Sequence, residues 1–77
     1  MNKVRRAEIN RIIEAISALK EDIEAVLEEE SEYMENMPEN LKCSEKHEVA
    51  EEACSQLEEA AEYIDSVIEN LENAKGE

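Results

Sequence analysis

A seven-residue apolar repeat runs along this chain from Ile9 to Ala74 and is interrupted once, around its only proline, Pro38. Side chains seven apart share one face of a helix, so a repeat sustained this long commits the chain to helices that pack along their length. In the first segment Ile9, Ile16, Ile23 and Met37 fall at heptad position a, and Ile12, Leu19, Val26 and Tyr33 at d. Ile13, Leu27 and Met34 fall at e, and Glu30 is the one polar residue at a. In the second segment Ala50, Leu57, Ile64 and Leu71 take a, Ala53, Ala60, Val67 and Ala74 take d, and Cys54, Ala61 and Ile68 take e.

Pro38 cannot continue a helix and biases Met37 away from helical angles. Ser44 is the natural N-cap of the second helix, with Glu45 and Glu48 favourable in its first turn. The pattern predicts a single helical-hairpin domain over residues 1–77: helix one over about 3–36, a corner at 37–44, and helix two over about 45–75. So short a connection makes the helices antiparallel neighbours. The expected fold class is all-α, an antiparallel, coiled-coil-like two-helix hairpin.

A chain this small has little core material, and it has no Phe or Trp to enlarge it. The stripe on helix one is also wider than one neighbour covers. Leaving Ile13 and Leu27 in water would forgo about 1.5–3 kcal/mol each. The hairpin is therefore expected to pair with a second copy into a four-helix bundle, a dimer. Ile9, Ile13, Ile16, Ile23, Leu27, Ile64 and Ile68 are the residues expected to contribute to self-association.

Charge narrows the function. The formal net charge is −14, from 22 acidic and 8 basic residues. It repels nucleic acid and anionic membrane and attracts basic protein surfaces. The basic side chains Lys3, Arg5, Arg6, Arg11 and Lys20 concentrate at the start. Antiparallel packing is expected to set Lys3, Arg5 and Arg6 beside Glu69, Glu72 and Glu77. No apolar run is long enough to span a membrane, and the basic start lacks the apolar region and cleavage site of a signal peptide. The expectation is a cytoplasmic protein with reduced thiols.

Candidate chemistry is sparse. Cys43, His47 and Glu51 step by four, and Cys54 follows three later. These are legitimate zinc-ligand types, but a close Cys–Cys spacing or a paired His motif is missing. Cys43 also precedes the cap, and Cys54 reads as a small buried apolar residue. The expectation is no metal and no cofactor, with Cys43 and His47 as the weak candidates. A Glu-x-x-His motif of a di-iron bundle is missing, because Ser44 lies three residues before the only histidine. The only glycine is Gly76, which leaves no glycine-rich loop, and no catalytic triad is visible, so no enzyme is expected.

The remaining feature is the outer face of helix two. Glu48, Glu51, Glu52, Glu58, Glu59, Glu62, Asp65, Glu69 and Glu72 occupy positions b, c and f. A solvated helix commonly mixes signs to gain i,i+4 pairs, and this one does not. From Glu59 onward successive acids are separated by about 4.5–6 Å of rise, approaching the roughly 7 Å spacing of phosphates along one DNA strand. An acidic rod of this kind fits the nucleic-acid groove of a basic protein; the simpler role of such charge is solubility.

The stretch from Glu28 to Ala74, with its Tyr33, its Asn36-Met37-Pro38-Glu39-Asn40-Leu41 corner and the following Ser44, Glu45 and Glu48, resembles a group of small uncharacterised acidic helical-hairpin proteins of Gram-positive bacteria, their phages and integrative elements. It departs where Cys43 stands for the group's glycine and His47 for its tyrosine. The resemblance covers roughly residues 5–74 and implies a mobile-element origin, which by analogy favours an acidic decoy against a host defence nuclease. The expected function is a non-enzymatic, self-associating acidic interaction module. The alternatives are a structural or assembly component and, more remotely, a metal-binding bundle.

Overall fold

In the computed structural model, which describes residues 1–76, two helices account for nearly the whole chain. Helix α1 spans Lys3–Glu35 and α2 spans Glu45–Lys75. Local chemistry sets the ends. The Asn2 side chain accepts a hydrogen bond from the Arg5 N–H at 2.8 Å, satisfying one of the free donors at the start of α1. At the other end the Asn36 N–H donates to the Glu32 carbonyl, and Pro38, at φ −59° and ψ 150°, turns the chain out of the helix. A single 3-10 turn, Glu39–Leu41, follows. Ser44 then caps α2: its Oγ accepts from the His47 N–H and donates to the Leu41 carbonyl.

The helices run antiparallel and pack along each other as an all-α hairpin. The molecule is a rod of 59 × 15 × 14 Å with a radius of gyration of 17.6 Å. A compact chain of this length would have a radius near 11–12 Å. The accessible surface is 5828 Å², against about 4,800 Å² for a compact 8.8 kDa monomer. The hairpin is therefore all surface and seam. Among the described residues the buried ones are Met37, Ala50, Cys54 and Ala61, and no side chain is enclosed completely. Small residues at Ala50, Cys54 and Ala61 let α1 approach closely, while Met37 plugs the corner. Among the described residues no helix is long and apolar enough to cross a membrane.

The seam is turned toward position e. Cys54 and Ala61, both at e, are buried together with Ala50 at a. Ile13 and Leu27, expected to lie beyond one neighbour's reach, are half-buried instead. The places left open belong to position d: Leu19 is 58% exposed, Val26 51%, Tyr33 51% and, on α2, Val67 43%. This rotation brings Lys20, itself at e, within reach of α2 and leaves half of the Tyr33 surface in water.

Candidate interaction surfaces

The rod presents three distinct surfaces: an acidic outer face and two long flanks on either side of the seam. All nine acids expected to form the outer face of α2 are exposed. They are not equally free. Asp65 Oδ1 lies 2.7 Å from Lys20 Nζ across the hairpin, Glu72 pairs with Lys75 at 3.1 Å, and Glu52 accepts from Gln56 at 2.9 Å. Among the described residues Glu48, Glu51, Glu58, Glu59, Glu62 and Glu69 have no cation within 4.0 Å. The acids from Glu48 to Glu62 are thus free of cations, in two groups separated at Ser55, and the face is partly neutralised beyond.

The basic start does something other than expected. Lys3, Arg5 and Arg6 make no ion pair with Glu69 or Glu72 among the described residues, and Glu77 lies outside them. Arg6 instead donates to the Met1 carbonyl at 2.7 Å, and the open end is closed by Lys75, whose Nζ donates to Asn10 Oδ1 at 2.7 Å. The cross-helix ion pair forms further in, between Lys20 and Asp65. The reason is geometric: Lys20 at e borders the seam, whereas the first-turn cations lie where the helices end.

The residues named for self-association, Ile9, Ile13, Ile16, Ile23, Leu27, Ile64 and Ile68, are all half-buried in the single hairpin. One flank of the seam gathers position e: Leu27 and Met34 line a groove with Cys54, bordered by Glu24, Glu28 and Glu58. The other gathers position d. Leu19, Ile23, Val26 and Leu57 line one groove there with Asp22, and Tyr33, Val49, Ala50 and Ala53 line another nearer the corner with Glu30, Glu45 and Lys46.

On α2 this second flank carries no charge between Val49 and Ala74. Its d positions are Ala53, Ala60, Val67 and Ala74, and its g positions are Val49, Gln56, Tyr63 and Asn70. Sequence reasoning placed the d residues in the core and passed over the g positions. The signal was legible: in a helix dense with acid, a row free of acid is a row that water alone does not explain.

Cys43 is exposed at the turn before the cap, and His47 is half-buried in the first turn of α2. Among the described residues no group of three or more His, Cys, Asp or Glu side chains is gathered as a metal ion would need. Cys54 is a free thiol in the seam. Burial pushes its pKa up, and the carboxylates of Glu30 and Glu58 push the same way. That is the setting of an inert packing thiol. Comparison of the chain with protein-family models, with curated proteins and with solved structures finds no match.

Proposed function

We propose that the chain is a non-enzymatic, self-associating helical module whose acidic face binds a basic protein surface, acting as a nucleic-acid mimic. The observation that carries this reading is the row Glu48, Glu51, Glu58, Glu59 and Glu62, exposed and without a cation partner among the described residues although the chain has eight Lys and Arg. Unpaired carboxylates on a stiff rod hold their charge at fixed spacing, as a phosphate backbone does, and steer a cationic partner in. The partner is then a nucleic-acid-binding protein, and the chain does not bind nucleic acid directly. The site of action is the cytoplasm, where both thiols stay reduced. The likeness of the corner to proteins of phages and integrative elements supports a decoy role.

Reversal of Glu58, Glu59, Glu62 and Glu69 to Lys tests it. Each reversal adds two units, so the net charge moves from −14 to −6, and Asp65 is spared because it holds Lys20. Helicity and oligomer mass should be unchanged. Binding to a basic partner captured from the native host should collapse, and binding by the natural chain should weaken steeply between ~50 and ~200 mM salt and compete with duplex DNA. Retained binding by the folded reversal variant, without competition by nucleic acid, removes the mimic. It would leave the second reading, a structural assembly element, which rests on the exposed apolar flank and should be nearly indifferent to salt.

A further inference from the structure

We infer that the flank bearing Leu19, Val26, Tyr33 and Val67 is covered by a second copy of this chain, and that the two hairpins lie inverted, each corner over the other's open end. The inference rests on the self-association reading and specifies its surface and geometry.

The flank has the extent and the chemistry for it. One whole side of the rod, 59 by 15 Å, bounds the contact at just under 900 Å² per chain, so a flank used along its full length reaches the roughly 800 Å² per partner of a stable interface. That is also close to the roughly 1,000 Å² by which the hairpin's surface exceeds that of a compact monomer. On α2 the flank offers nothing charged between Val49 and Ala74, so along that helix a partner of opposite charge finds no counterpart; Asp22 and Glu30, which border it, belong to α1. A second copy fits it: pairing flank to flank covers apolar side chains on both rods and leaves the acids of positions b, c and f at the periphery, with Asp22 and Glu30 of α1 bordering the contact.

Charge then decides the orientation. The Lys20–Asp65 pair lies near the middle of α1 and divides the rod. On the open side, residues 1–20 and 65–76 hold six basic and five acidic side chains, a net of +1. On the corner side, residues 21–64 hold two basic and 16 acidic side chains, a net of −14, with Glu77 supplying the remaining unit. A corner-to-corner dimer sets −14 beside −14 with the rods one width, 15 Å, apart, well inside the screening length of about 30 Å at ~0.01 M salt. The repulsion fades as salt shortens that length to about 8 Å at ~0.15 M. The inverted dimer sets −14 against +1 twice. Both arrangements are two-fold symmetric and bury the same flank, so burial does not separate them and repulsion does.

Two measurements on the whole chain test this. Light scattering at tens of micromolar gives the mass. Nitroxide labels on Cys43, in a Cys54→Ala background, give the distance between the two corners by pulsed electron resonance. A dimer with label separation approaching the 59 Å length of the rod is the expected result. A dimer with separation below about 30 Å, twice the rod's width, would overturn the inverted arrangement while leaving self-association standing. A monomeric mass for the natural chain would overturn self-association itself.

The flank is tested separately. Val26→Glu and Val67→Glu should each weaken dimerisation by about tenfold or more, because each buries an unpaired charge. Ala25→Glu, which adds the same charge at the neighbouring exposed c position, should leave it within about twofold. Circular dichroism confirms that each variant is helical. Undiminished dimerisation by either folded flank variant would show that another face is used. If neither folds, the wild-type flank is read instead by hydrogen exchange: slower exchange along Leu19–Tyr33 and Val49–Val67 in the dimer than at dilution supports the assignment, and no difference there overturns it.

Discussion

Lys20 and Asp65 stand 45 residues apart in the sequence, and their side chains meet across the hairpin with Nζ 2.7 Å from Oδ1. The contact is the point where the cationic first half of α1 touches the acidic second half of α2, and it joins the helices from the side rather than through the seam. Asp65 remains largely in contact with water while the Lys20 side chain keeps only a quarter of its surface exposed, so the pair sets register more than stability.

Its pH dependence has a definite sign. The hydrogen bond to Asp65 raises the Lys20 pKa above 10.5, helped by the charges of Asp65 and Glu24 and opposed by partial desolvation. A raised folded-state pKa contributes stability that is complete below the unfolded value and is lost as pH climbs through the folded one. The melting temperature of Asp65→Asn should therefore sit slightly below that of the natural chain, by a constant interval from about pH 7 to about pH 9, and the interval should close above pH 10.5 and in ~1 M salt. An interval that widens above pH 10.5 in thermal melts would contradict the assignment.

Ser44 ties the corner to α2 through the His47 N–H at 3.4 Å and the Leu41 carbonyl. Ser44→Ala should cost about 1 kcal/mol, within the usual 0.5–2 kcal/mol for a lost N-cap. Ser44→Asp restores an acceptor and adds favourable charge at the helix start, so it should recover most of the loss. Chemical denaturation at fixed protein concentration measures both, and a Ser44→Ala variant as stable as the natural chain would show that the cap contributes little.

Ala50 is 3% exposed, the most enclosed residue of the seam. Ala50→Leu has no room without moving α1 away, and should destabilise by about 1–3 kcal/mol. For a domain of this size that lowers Tm by roughly 4–8 °C per kcal/mol. The exposed Ala25→Leu on α1 is the control and should leave Tm almost unmoved. A tolerated Ala50→Leu would mean that the helices are further apart than their packing indicates.

The two thiols should separate cleanly in a maleimide time course. Cys43 is exposed, whereas Cys54 is buried in the seam with its pKa pushed up by burial and by Glu30 and Glu58. Only the thiolate reacts, so Cys43 should modify at least about tenfold faster in the native state, and the two rates should converge in denaturant. Comparable native rates would report frequent opening of α1 from α2 near Cys54.

Much of this molecule is written in its periodicity. Ile9 to Met37 and Ala50 to Ala74 repeat every seven residues, which determines two long helices. Pro38 cannot continue a helix and Ser44 satisfies the free N–H groups of the next one, which determines the corner between them. Positions b, c and f hold the acids of α2, so their exposure was legible as well.

What the repeat left open was the rotation of each helix about its own axis. Apart from Glu30 at a and Lys20 at e, positions a, d and e were apolar, and a wide stripe packs equally plausibly on either of its edges. Only the tertiary structure decided it. The seam turned toward Cys54 and Ala61, carrying Lys20 to Asp65 and leaving Leu19, Val26, Tyr33 and Val67 in water. The cations Lys3, Arg5 and Arg6 could not be assigned from spacing either, because at a helix end a long side chain has backbone carbonyls within reach as well as the neighbouring helix, as Arg6 shows with Met1. Periodicity specifies which residues share a face; the fit of two particular surfaces specifies which face is spent on the neighbour and which remains for a partner.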